Sequence, residues 1–143
     1  MRYWDTSALV PLLVAQSASA AVRGLYRADS TVAAWWGTRL ECESALARLE
    51  REGTLALEAA TAARRRLDRI ASSWEEILPA EVLRETARRL LRTHDLRTAD
   101  ALQLAAAIAA AEQQPASLAF VCLDVRLARA AEREGFSVLP ESP

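Results

Sequence analysis

Lysine is absent from this chain: all 18 basic residues among its 143 are arginines. Beside so much alanine, that bias reads as the codon usage of a GC-rich genome. Only four glycines occur, Gly24, Gly37, Gly53 and Gly135, too scattered to build a GxGxxG turn or a GxxxxGK[ST] loop, so neither phosphate-cradling nucleotide fold is expected. The two cysteines, Cys42 and Cys122, sit in apolar surroundings without metal-ligand spacing, which predicts buried thiols in a reducing compartment. His94 is the single histidine; no partner spacing makes it a zinc ligand, and it reads as a loop residue in HDLRT. No apolar stretch approaches the roughly 18 residues of a membrane span. Asp5 also interrupts the first apolar run before it could serve as a secretion signal. A cytoplasmic protein without membrane contact is expected. Positive charge in excess is missing too: the net charge is −1. If the chain meets a polyanion, a bound cation or a local arginine patch must help.

What is present is a globular composition, 52% apolar and 26% charged, in a length that suits one domain, residues 1–143. Short apolar runs alternate with helical patterns. MRYW (1–4), TVAAW (31–35), WEEILP (74–79), SLAFVCL (117–123) and FSVL (136–139) read as strands. Residues 6–22 read as one helix, with Pro11 in a first turn or at a kink. Further helices are expected at 38–53, capped by Thr38 and stopped by Gly53, and at 55–73. The next spans 80–94, with Val82, Leu83, Leu90 and Leu91 inward and Arg84, Arg88 and Arg92 outward. The last two are 98–114 and a helix opened by Asp124 and ended by Gly135. Strands joined by helical crossovers imply an α/β fold with a mostly parallel sheet covered on both faces.

In such a sheet, ligands bind outside the carboxyl ends of the strands. Asp5 follows the first strand and Asp124 follows AFVCL, while Asp100 lies in the first turn of the 98–114 helix. A fourth acid comes from the 38–53 helix, where Glu41 and Glu43 compete. Residues two apart point about 200° apart. Glu43 falls on the solvated side, with Arg39 as an ion-pair partner, and Glu41 at the margin of the stripe Cys42, Ala45, Leu46 and Leu49. That margin suits a half-buried cleft and favours Glu41, although Glu43 stays open. Each aspartate, taken singly, is explained as a helix cap. Caps alone do not explain two of them at the ends of apolar strands with further acids fitting one cleft. Crowded carboxylates repel one another, and Mg²⁺ or Mn²⁺ offsets that repulsion. A site of that kind can orient a phosphodiester and activate water.

The run Asp5-Thr6-Ser7, a glutamate in the next helical region but one, LRTADALQLA and FVCLDVRLARAA, in that order and spacing, resembles the PIN-domain family. Within that family it is most similar to the VapC-type toxins of bacterial toxin–antitoxin pairs, across essentially the whole chain. The resemblance implies a three-layer, PIN-like fold with a parallel five-stranded sheet, and a metal-dependent ribonuclease. It makes Asp5, Glu41, Asp100 and Asp124 the acidic set around Mg²⁺ or Mn²⁺, with Asp5, Asp100 and Asp124 as metal ligands. Thr6 and Ser7 match the polar residues after the first aspartate, and Thr98 would cap its helix and support Asp100. It also implies an RNA substrate, a small VapB-type antitoxin covering the cleft, and a homodimer.

Arg97 lies three residues before Asp100, close enough to contact a phosphate or pair with an acid of the cluster. Arg64, Arg65, Arg66 and Arg69, and Arg84, Arg88, Arg89 and Arg92, read first as solvated faces paired with glutamates. Trp4, Trp35 and Trp36 flank strand ends and read as core or dimer-contact residues, and Asp95 as a turn residue. A dehalogenase-like phosphatase needs a second aspartate two residues after the first, where Ser7 stands, and is excluded. A catalytically silent PIN-fold module that binds RNA or a protein partner is the alternative.

Overall fold

The computed structural model describes residues 1–142. Five strands form one all-parallel sheet in the order β3-β2-β1-β4-β5. They are β1 (Arg2–Trp4), β2 (Val32–Trp35), β3 (Glu75–Ile77), β4 (Ala119–Val121) and β5 (Val138–Leu139). β1 is central, with Tyr3 opposite Ala33 on one side and Phe120 on the other. Each expected strand is present in shortened form, buried at the centre of the sheet in β1, β2 and β4 and more exposed at the edges in β3 and β5.

The alternation of side chains along the strands sorts the core into two layers. Tyr3, Ala33, Trp35, Phe120 and Cys122 face one side. There they meet α5 (Glu81–Thr93), α6 (Thr98–Ala110) and α7 (Val125–Arg133). Trp4, Val32, Ala34 and Val121 face the other. That side carries α1 (Thr6–Leu13), α2 (Ser19–Ala28), α3 (Thr38–Arg51) and α4 (Leu57–Ala71). The alanines of α6 let it sit flush on the sheet, burying Ala101, Leu104, Ala105 and Ile108. α3 is followed by Gly53 at φ +75° and α7 by Gly135 at φ +103°, a backbone that favours glycine, as the sequence predicts.

Three local expectations are corrected. The helix expected over 6–22 is two helices. Pro11 is accommodated inside α1, and the break falls after Leu13, where Ser19 Oγ donates to the Pro11 and Val14 carbonyls and accepts from Gln16 N–H. Thr38 is not a cap: it is buried, and Gly37 precedes the helix. On α5 the inward positions are Leu83, Ala87 and Leu90, whereas Val82 and Leu91 are 60% and 40% exposed. The apolar stripe follows the i, i+4, i+7 spacing, which adjacent hydrophobic pairs obscure. His94 stands where the sequence puts it, in the loop that follows α5, but it is almost fully buried there, with Nε2 2.7 Å from Glu134 Oε2.

Both cysteines are buried and free. Trp4 and Trp35 are core residues, whereas Trp36 is 55% exposed. No helix among the described residues is long and apolar enough to cross a membrane.

Candidate functional site

The connection from β1 leads to β2 on one side, and β4 lies on the other, so the carboxyl ends of β1 and β4 flank the switch point of the sheet. Asp5 leaves the end of β1, its N–H donating to the Val121 carbonyl of β4. Asp124 stands three residues beyond β4. Together with Glu41 of α3 and Asp100 of α6, they line one open cleft of about 340 Å³.

Asp5 and Asp124 are both caps and site residues. Asp5 Oδ2 accepts from Ser7 N–H at 3.0 Å, and Asp124 Oδ1 accepts from Leu127 N–H at 2.9 Å. Ser7 does more than close the first turn. Its hydroxyl donates to Asp5 Oδ2 at 2.5 Å and accepts from Leu123 N–H at 2.9 Å and, more weakly, from Asp124 N–H at 3.3 Å. One side chain therefore fastens the end of β1 to the loop that carries Asp124.

Glu41 is held from the other side. Thr6 Oγ1 donates to Glu41 Oε2 at 2.7 Å, and Gln103 Nε2 lies 3.2 Å from the same oxygen. Gln103 is itself buried; its amide also donates to Thr38 Oγ1 at 2.9 Å, and its carbonyl accepts from Tyr3 OH at 2.7 Å. That network explains why Thr38 faces inward. Gln103 was not singled out by the sequence motifs. The signal was there, however: a lone amide one turn after Asp100 in a helix of alanine and leucine, on the same face as that acid.

Glu43 does not reach the cleft. It accepts from Arg64 Nε at 3.0 Å, while Glu50 accepts from the same guanidinium at 2.5 Å. Arg39, the expected partner of Glu43, pairs with Asp68 instead. α4 packs on α3 at a point that a pattern within α3 alone could not foresee. Thr98 is likewise displaced. It makes no capping hydrogen bond, is exposed, and lines a different cavity beside Trp36 and Leu91, away from Asp100.

The electrostatics follow from crowding. Asp5, 5% exposed, has its pKa pushed up from the ordinary 3.8 to about 6, first by burial and then by the charges of Glu41 and Asp100, against the lowering pull of the Ser7 hydrogen bonds. Asp100 is raised by burial and by Asp124, and Arg126 and Arg97 oppose that rise. The Cys122 sulfur lies 3.8 Å from Asp5 Oδ2, and burial and that carboxylate hold its thiol firmly protonated.

The donor set fits a hard divalent cation in kind. Asp5 Oδ1, Glu41 Oε1 and Asp124 Oδ2 accept no hydrogen bond among the described residues, so each acid has one oxygen fixed and one free. Among the described residues, no three such side chains stand at the spacing that one ion requires. Closing on a cation would fall to the exposed Asp124 and half-buried Asp100, since Asp5 is pinned.

No family model and no curated protein matches the chain. Solved structures do share its fold, at identities that show the fold alone. PAE2754 of Pyrobaculum aerophilum is 23% identical, with a TM-score of 0.66 over 97% of this chain and 90% of that one. VapC20 of Mycobacterium tuberculosis, a sarcin-ricin loop cleaving toxin, is 19% identical, with a TM-score of 0.66 over 95% and 96%. FitAcB of Neisseria gonorrhoeae is 18% identical, with a TM-score of 0.65 over 96% of both chains. The α/β, PIN-like fold expected from the motifs is the fold observed, and it is shared with a VapC toxin.

Proposed function

We propose that the chain is a PIN-domain endoribonuclease of the VapC type, the toxin of a cytoplasmic toxin–antitoxin pair, hydrolysing RNA with Mg²⁺ or Mn²⁺. The observation that carries this reading is the convergence of Asp5, Glu41, Asp100 and Asp124 on one cleft at the switch point. The likeness of fold to a toxin that cleaves the sarcin-ricin loop supports it.

Asp5, Asp100 and Asp124 would hold the metal, with Glu41 completing the acidic set. Bound there, the ion supplies charge to polarise the phosphodiester and to lower the pKa of water. The chain's own residues supply position. Ser7 keeps Asp5 and the Asp124 loop in register, and Thr6 and Gln103 aim Glu41. Glu41 is the candidate to accept a proton from attacking water, being fixed through one oxygen only. Arg97 lies close enough to Asp100 to moderate its charge. An antitoxin helix has an apolar groove of about 780 Å³ available between α1, α3 and α4, lined by Leu12, Leu13, Leu49 and Leu55. The homodimer would use the face where Trp36 and Leu91 line one open hollow.

The test is incubation of the purified, partner-free chain with a panel of structured RNAs and Mg²⁺ or Mn²⁺, beside EDTA and Asp100→Asn controls. Cleavage lost in both controls is the expected result. A folded chain that binds RNA and never cuts it, with no calorimetric Mn²⁺ binding, would overturn the nuclease reading. A silent binding module would then take its place.

A further inference from the structure

Half of the eight arginines on α4 and α5 that the sequence offers for RNA contact are ion-paired, and none of the eight lines the acidic cleft. Arg64 is bound by Glu43 and Glu50, Arg84 by Glu81, Arg88 by Glu85 and Arg89 by Glu134. Another set is not. An open cavity of about 890 Å³ is lined by Arg97, Arg126, Arg129 and Arg133, and it shares Asp100 and Asp124 with the acidic cleft. Arg97, Arg129 and Arg133 form no ion pair among the described residues. Arg126 lies 3.9 Å from an exposed Asp95.

Three of these arginines belong to α7 at positions i, i+3 and i+7, one face of the helix. At 1.5 Å per residue the stripe runs for about 10 Å. It starts two residues after Asp124 and leads away from the acids. The obvious neutralising partner, Glu134, is turned elsewhere: its carboxylate takes Arg89 at 2.7 Å and His94 at 2.7 Å. Those two contacts also tie the end of α7 to α5, so Arg133 stands on an anchored helix. A chain of net charge −1 thus concentrates free guanidinium groups beside its acid cleft, and guanidinium forks match phosphate oxygens two at a time.

We propose that the face of α7 bearing Arg126, Arg129 and Arg133, with Arg97, seats the phosphates of the RNA strand flanking the bond that is cut. The strand enters or leaves the acidic cleft across Asp100 and Asp124. This rests on the RNA reading above and names the route of the substrate within it.

The experiment compares wild type, Arg126→Gln/Arg129→Gln/Arg133→Gln, the pair variant Arg129→Gln/Arg133→Gln and a control that removes the same number of charges as that pair, Arg84→Gln/Arg88→Gln, whose arginines pair within α5. Binding of a fluorescent single-stranded RNA is followed by anisotropy in EDTA across salt, and cleavage is followed separately with Mn²⁺. Circular dichroism confirms that each variant is folded. The triple α7 variant should bind at least about tenfold more weakly, and its log–log salt slope should be shallower by about 2, three single-strand phosphate contacts at about 0.7 each. The control should match wild type in both. An α7 variant that matches wild type in affinity and slope while wild type cuts RNA would overturn this route and leave the nuclease standing. Arginine-dependent binding without any cleavage would uphold the route and remove the nuclease. A wild type that binds no RNA would refute both, leaving an acidic protein segment as the occupant of the arginine cavity.

Discussion

Asp5→Asn should stabilise this protein at neutral pH in the absence of metal. In the folded chain the Asp5 carboxyl is buried beside Glu41 and Asp100, and its pKa rises from 3.8 to about 6. At about 1.4 kcal/mol for each tenfold change in proton affinity, that rise corresponds to about 3 kcal/mol. The sign follows from linkage. Between pH 4 and 6 the folded state holds this proton more tightly than the unfolded state, so Asp5 makes stability fall as pH rises through that window, and above it the whole cost is present. Asparagine keeps an oxygen for Ser7 and carries no charge. The variant should therefore exceed wild type by up to about 3 kcal/mol at pH 7.5, or roughly 6–12 °C in Tm. Near pH 4 the gap should close.

Urea denaturation in EDTA at pH 4, 5, 6 and 7.5 measures the gap directly. A gap independent of pH, or one that widens on acidification, would refute the reasoning, because a charge penalty can act only where the carboxyl is ionised. Addition of Mn²⁺ provides the counterpart. Wild type should gain about 2.7 kcal/mol at a hundred times its dissociation constant, and Asp5→Asn should gain far less, so that the gap between the two proteins nearly closes.

Glu41→Gln should lower cleavage by about a hundredfold or more while Glu43→Gln stays within a few-fold, since removing a positioned acid–base group costs about 10²–10⁴; single-turnover rates decide it. Gln103→Leu leaves the buried Tyr3 hydroxyl and Thr38 without their partner and should cost about 1–3 kcal/mol in urea denaturation, with lower turnover as Glu41 loosens. Ser7→Ala removes hydrogen bonding that holds the Asp5 pKa down, so the acid limb of the rate–pH profile should move to higher pH. An unmoved limb would dissociate Asp5 from the reaction.

The strands β1, β2 and β4 were legible because each is a short apolar run at the sheet's centre, the edge strand β3 because Pro79 closes its run, and Asp5 and Asp124 because capping and strand ends leave marks in local sequence. Glu41 was favoured over Glu43 by angle alone, but what occupies Glu43 was hidden: Arg64 comes from a helix 21 residues further on. Thr38 and Thr98 look alike as caps, and only the packing of α6 against β2 sends one inward to Gln103 and leaves the other in solvent. The burial and pairing of His94 were hidden for the same reason. Its partner Glu134 is 40 residues away, and local pattern carries no information about pairs at that separation.

The hydrogen bonding also distinguishes the acids of the cleft from the other paired acids of the fold. Glu43 and Glu50 meet Arg64, Asp68 meets Arg39, Glu134 meets Arg89, and each charge is offset by a guanidinium. Asp5, Glu41 and Asp124 are held instead by hydroxyls, an amide and backbone N–H groups. Neutral donors fix geometry without cancelling charge, so the repulsion that raises Asp5 and Asp100 is left standing. A carboxylate placed only to cap a helix gains from solvent or from a cation at hand. Burying Asp5 among acids, with one oxygen immobilised and the other free, costs stability that capping does not recover. The proposed cation would offset that cost, which is why the Asp5→Asn comparison with and without Mn²⁺ tests the cation and the electrostatics together.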